Sequence, residues 1–235
     1  MRIAHLSDLH FGDPKTLSEV ERCTTAAVDD AVARDAELAV ISGDSTDHAI
    51  DVHSPSFLAL ARLVRRLADH CPVLMLQGTF SHEPPGTLDV FRLLGGRFPV
   101  HVADRIHQVA WCGSAGWVAS EGWRFNDLPA HAQVLFSCVP TVNKAVVAAT
   151  GGPHAAAEAV GQQLVALLAG FGEINRRASQ VGLPTVGVSH GTISGCVTEH
   201  GVPMAGLDHE FTPAGLFAAV MTREDFGSRS RPIRG

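Results

Sequence analysis

Four separate apolar runs in this chain end on an aspartate or histidine close to a glycine, and that recurrence limits the fold more than any other feature. Ile3-Ala-His-Leu6 runs into Asp8, His10 and Gly12, and Leu38-Ala-Val-Ile41 into Gly43, Asp44, Asp47 and His48. Val73-Leu-Met-Leu76 runs into Gly78, Ser81, His82 and Glu83, and Thr185-Val-Gly-Val-Ser189 into His190 and Gly191. Short continuous apolar runs read as strands buried on both faces. Core packing explains the apolar part of each run but not the polar residue at its carboxyl end. In open α/β sheets that edge is where ligands bind. Asp8 and His10 are spaced i, i+2, and at a strand end both side chains can enter one mouth once the loop breaks the alternation of faces. Asp-x-His arises often by chance, and it is the repetition across four runs that favours a shared site.

Helical patterns lie between the runs. Thr16 to Asp35 reads as a helix capped by Thr16 or Ser18, with Val20, Ala27, Val28 and Val32 on one face. Ser54 or Ser56 caps a second, striped by Leu58, Leu60, Leu63, Val64 and Leu67 and stopped by Pro72. This alternation predicts an α/β sheet with helices on its faces. From Phe98 to Pro140, Val100–Val102, Ile106–Cys112 and Val134–Val139 read as strands, with a loop or hairpin over Trp111–Trp123. Tryptophans there can stack on bases, but core or loop anchoring is the simpler account. A long Ala-rich helix spans residues 155–181, with Leu164, Leu168, Phe171 and Ile174 inward. Residues 194–208 read as irregular, and Thr212 starts a short helix to Val220. Residues 1–221 thus form one expected domain, and the Arg-rich stretch 222–235, without apolar period, an expected disordered tail.

Composition narrows the function. The chain has 235 residues, 46% hydrophobic and 18% charged, with no long apolar run of membrane-spanning length and no leader pattern. Five scattered cysteines without Cys-x-x-Cys point to reduced thiols and a cytoplasmic setting rather than a disulfide framework. A net charge of −6 gives no support for a large nucleic-acid footprint, so a phosphate-bearing substrate would depend on bound cations.

Asp8, His10, Asp44 and His190 make a mixed oxygen and nitrogen donor set that suits manganese, iron or zinc, and the lack of thiolates argues against a structural zinc. Two ions sharing a carboxylate can clamp a phosphoryl group and generate hydroxide near neutral pH. His82 in the adjacent loop can protonate a leaving oxygen or steady developing charge, with Glu83 orienting it. Asp47 and His48 are expected behind the ligands, and His5 is expected as a hydrogen-bonded residue of the first strand.

Asp8-Leu-His10, Gly43-Asp-Ser-Thr-Asp47, the Gly78–Glu83 variant of Gly-Asn-His-Asp, and Ser189-His-Gly191 resemble the ordered motifs of the calcineurin-like metallophosphoesterases. Over residues 1–220 the chain is most similar to the SbcD-type DNA repair exonuclease subunit, through Val188 to Gly195, Asp208 and Phe211-Thr-Pro213. The resemblance implies a four-layered α/β/β/α sandwich and two divalent ions, Mn(2+) by preference. It implies Asp8 and His10 on the first ion, Asp44 bridging, His190 on the second, and His82 as the catalytic histidine. It also implies DNA as substrate, an SbcC-type ATPase partner and a homodimer.

Two departures qualify it. The family's Asn ligand after Gly78 is absent, and Ser81 or Thr79 would stand in, with Ser81 favoured. The closing Gly-His-x-His expected after Val220 is also absent, which implies a truncation or frame change near Thr222 and a missing last strand. Nothing in their spacing brings His200 and His209 to the site as replacements. The leading expectation is a two-metal phosphodiesterase, a DNA exonuclease acting in repair or recombination. The alternatives are a small-phosphoester hydrolase, and a catalytically silent remnant that keeps the fold.

Overall fold

A computed structural model describes residues 1–51, 53–142, 153–193, 195–197, 200–202, 210–212 and 215–216. The expected tail, the break near Thr222, His209 and most of the short helix from Thr212 lie outside these residues.

Strands β1 (Ile3–Leu6), β2 (Leu38–Ile41), β3 (Val73–Leu76) and β4 (Val100–Ala103) form one parallel sheet in that order. Helices α1 (Leu17–Ala33) and α2 (Pro55–His70) make the first two crossovers. The second sheet contains β5 (His107–Trp111), β6 (Trp117–Ala119), β7 (Val134–Val139) and β8 (Thr185–Ser189), in the order β6-β5-β7-β8. Strand β5 is antiparallel to both neighbours, whereas β8 lies parallel to β7 after helix α3 (Pro153–Gln180). The chain is therefore a mixed α/β protein with two sheets and, among the described residues, three helices. A small parallel pair, β9 (Thr192–Ile193) with β10 (Glu210–Phe211), flanks the stretch 194–208 read as irregular. No helix among the described residues is long and apolar enough to cross a membrane.

Alternation along the central strands sorts the core. Ala39, Ile41, Val73 and Met75 pack with Val28 of α1 and Leu60, Val64 and Leu67 of α2. Their neighbours Leu38, Val40, Leu74 and Leu76 turn the other way and pack against Val109, Val134, Phe136 and Cys138 of the second sheet. Leu135 and Ala110 in turn meet Ile174 and Ala178 of α3. Both central strands of the first sheet are buried on both faces, so they read as unbroken apolar runs rather than as alternating ones. Each fully buried Leu or Phe contributes about 1.5–3 kcal/mol.

The helix ends are resolved locally. Ser54, not Ser56, caps α2, its Oγ accepting from Phe57 N at 3.0 Å, with Pro55 at the first helical position. Ser56 instead donates to Gly12 O at 3.0 Å and ties α2 to the loop after β1. Leu58 departs from the expected stripe and is 49% exposed. Trp111 and Trp117 sit edge to face between the sheets, and Trp123 packs on Phe171, so the tryptophans anchor the core.

A histidine pair, with His107 buried and His101 half-buried, joins the two sheets. His107 Nδ1 lies 2.8 Å from Arg105 O and donates to it, which leaves Nε2 to accept from His101 Nε2 at 2.9 Å. Both rings are neutral in this arrangement. Burial first, then His107 and Arg92, hold the His101 pKa down at about 3, and burial also lowers that of His107. An unfolded imidazole titrates near 6.5. Below that pH the unfolded chain binds more protons than the folded one, so stability present above about 6.5 is lost on acidification. His101 alone should remove about 2 kcal/mol between pH 6.5 and 5. Urea unfolding at the two pH values measures this, and His101→Gln, which keeps a donor, should flatten the dependence. An acid slope unchanged in that variant would sink the assignment.

Candidate metal centre

The loops that follow β1 and β2 are laced together past the ends of their strands. Asp8 N donates to Gly43 O at 3.1 Å, His10 N to Asp44 O at 3.0 Å and Phe11 N to Ser45 O at 3.0 Å. This ladder holds Asp8, His10 and Asp44 at φ of 55°, 49° and 50°, in the left-handed region that side-chain-bearing residues rarely adopt. Such strain, of order 1–3 kcal/mol per residue, persists only where the surroundings over-determine it, and it clusters at functional sites. Asp35 and His131 share the conformation, but Asp35 closes α1.

Two glycines let the loops approach. A Cβ on Gly78 would collide with the backbone nitrogen and Oδ1 of Asp44, and one on Gly43 would strike the His190 ring. These contacts, not turn geometry alone, explain glycine at the ends of β2 and β3.

Asp44 is the buried centre of the site, 4% exposed. Its Oδ1 accepts from Thr79 N at 2.7 Å, and its Oδ2 lies 2.8 Å from His82 Nδ1 and 3.4 Å from His190 Nε2. Burial works against the charge, but His190, His82 and the Thr79 N–H outweigh it and hold the carboxyl well below the usual range. His190 Nδ1 donates to Ser42 O at 2.9 Å, which turns Nε2 toward Asp44. Burial opposes charge on this ring too, yet Asp44, the Ser42 carbonyl and Asp8 hold its pKa up at about 9. Asp8 is exposed and accepts from Ser7 Oγ.

The expected site residues fall into two groups. Asp8, Asp44 and His190 each offer a donor atom within 4.8 Å of the others, and so do His10, Asp47 and His82. His10 Nδ1 is buried without a hydrogen-bond partner, 3.6 Å from Asp47 Oδ1, and the His10 and His82 rings meet edge to face at 4.8 Å. Two carboxylates, an imidazole of fixed tautomer and an orphaned buried imidazole nitrogen suit a divalent cation of manganese, iron or zinc type.

Two placements differ from expectation. Thr79, not Ser81, points its hydroxyl into the site, 3.3 Å from both Asp44 Oδ2 and His190 Nε2, whereas Ser81 is exposed. Glu83 does not orient His82. It is fully buried, and its two carboxylate oxygens accept from Ser45 N and Gly78 N at 2.5 Å each, clamping the loops after β2 and β3. Burial raises its pKa, partly offset by those N–H groups. His5 is the hydrogen-bonded residue of β1 that was expected, 2.7 Å from Ser42 Oγ, and it is exposed. Sequence reasoning names Thr79 only as second choice to Ser81, and it misses the Thr79 N–H bond to Asp44 and the Ser42 carbonyl bond to His190. Their position next to Gly78 and Gly43 was the available signal.

Fold and site together define a mixed α/β protein with candidate cation-binding groups at converging strand ends. No known family profile matches the sequence. No curated protein matches it either. Among solved structures, a nuclease, MPE of Pseudomonas putida, is similar at 25% identity, covering 45% of this chain and 48% of its own, with a TM-score of 0.31. The chain thus matches about half the length of that nuclease.

Proposed function

We propose that this protein is a metal-dependent phosphoester hydrolase. The observation that carries the reading is the meeting of Asp8, Asp44 and His190, from the ends of β1, β2 and β8, with donor atoms inside 4.8 Å. When bound, a divalent cation polarises a phosphoryl oxygen and makes water acidic enough to attack near neutral pH. The chain supplies the rest. Thr79 N–H fixes the Asp44 carboxylate, Ser42 O fixes the His190 tautomer, and Asp8 faces solvent, where a phosphoester would enter. Thr79 Oγ1 supplies a neutral oxygen in the place assigned to Ser81.

Core alternation, with helices on one side of the first sheet, the second sheet on the other and α3 beyond it, supports reading the fold as a four-layered α/β/β/α sandwich. The ordered motifs support a finer reading: a DNA exonuclease of the SbcD type in repair or recombination, using Mn(2+), with an SbcC-type ATPase partner and homodimerisation. Five cysteines without a disulfide fit a cytoplasmic setting for it.

Purified protein should be incubated with Mn(2+) and either single-stranded DNA, double-stranded DNA or nitrophenyl phosphate esters, with chelator controls. Manganese-dependent DNA cleavage is the expected result. Cleavage of the small esters alone removes the nuclease reading, and no cleavage of any substrate removes the hydrolase.

A further inference from the structure

We propose that His10, Asp47 and His82 form a divalent-cation site of their own, for a borderline ion such as manganese or zinc, separate from the Asp8, Asp44 and His190 group. The inference rests on the metal-dependent reading above but sorts the residues differently from the resemblance, which pairs His10 with Asp8 and leaves His82 unligated.

Three observations carry it. First, His10 Nδ1 is buried and lacks a hydrogen-bond partner, although the left-handed backbone at His10 and the ladder to Asp44 hold the ring in place. A buried imidazole nitrogen without a partner is costly, which asks for a ligand. Second, the carboxylate beside it, Asp47 Oδ1, stands 3.6 Å away, too far for a hydrogen bond. Two donors each about 2.1 Å from one tetrahedral ion lie about 3.4 Å apart, close to this spacing. The other oxygen of Asp47 lies 3.5 Å from His48 Nδ1, and the carboxylate is otherwise open to solvent. Third, His82 Nδ1 sits 2.8 Å from Asp44 Oδ2. Donated as N–H, that bond leaves the Nε2 lone pair to ligate, the carboxylate–histidine arrangement that accompanies metal-bound imidazoles.

The chemistry is a nitrogen, nitrogen, oxygen set open on its solvent side, and Asp44 stands between it and the other group. In this arrangement His82 is a ligand rather than a free proton donor. Gly12 belongs to the same device, since a Cβ there would come within 2.7 Å of Asp47 Cβ and 2.9 Å of His48 Cε1.

The test uses the full chain, stripped with chelator and titrated with Mn(2+) alone, with bound ions counted by calorimetry and by the loss of the free-ion EPR signal. The unaltered chain should take two ions. Asp47→Asn and Asp44→Asn should each retain one at saturation, and the double variant none, with folding checked by circular dichroism. Two ions still bound by Asp47→Asn at saturation, merely more weakly, would make Asp47 a positioning residue and overturn the site. A single ion lost with Asp44→Asn and untouched by Asp47→Asn would overturn it while leaving the hydrolase reading intact. No ion bound by the unaltered chain would remove both.

Discussion

Asp44→Asn should lower manganese-dependent hydrolysis by about a thousandfold, the scale of losing a preorganised charge at a reacting centre. Asn keeps the shape of Asp and an oxygen to accept the Thr79 N–H, now at 2.7 Å. It places an amide where Oδ2 faces His82 at 2.8 Å and His190 at 3.4 Å, so both imidazoles lose their acceptor and the cation loses its most buried anionic donor. The fold should survive, because Asp44 lies in a loop whose backbone is held by the ladder to Asp8, His10 and Phe11 rather than by the side chain. Initial rates against nitrophenyl esters or DNA, beside a thermal melt in chelator, measure the two effects separately. Activity retained within tenfold would place the reaction elsewhere.

The largest effect on stability is expected at Glu83. Its carboxylate is fully buried and accepts from Ser45 N and Gly78 N, and its backbone oxygen accepts from Gln77 Nε2 at 2.9 Å. Truncation in Glu83→Ala would leave two buried N–H donors unpaired, at about 1–3 kcal/mol each, and open a cavity beside them. The summed cost is about 3–5 kcal/mol, a large share of the stability of an ordinary domain. Glu83→Gln should cost less, since one oxygen still accepts. Urea unfolding of the three proteins gives the ranking. The loops after β2 and β3 are also joined by Thr46 Oγ1 donating to His82 O at 2.8 Å, so manganese retention should fall with the clamp. A loss below about 1 kcal/mol in Glu83→Ala would show that those donors find other partners.

The periodicity of the chain determined the elements. Leu38–Ile41 and Val73–Leu76 could be read as strands because a run too short for a helix and apolar on both faces has few other uses. The stops at Pro72 and the cap near Ser54 are local chemistry and were legible for that reason, down to the choice between two serines. The short strand Trp117–Ala119 and the pair Thr192–Ile193 with Glu210–Phe211 were not, since brief strands are stabilised by the partner they meet rather than by their own pattern.

The site divides in the same way. Asp8, His10, Asp44, His82 and His190 stood out because ligating residue types at strand ends beside glycine are visible one segment at a time. Which of them share a cluster was decided by long-range contacts: the register that sets Ile3 against Leu38 in the first sheet, and the path of β8, which carries His190 back to the loop after β2. Glu83 shows the limit most clearly. Its neighbours in the chain suggested an accessory to His82, yet burial at the crossing of two loops made it the acceptor for two backbone amides. A side chain's type is written in the sequence. Its partner is set by what the tertiary fold places within 3 Å and shields from water.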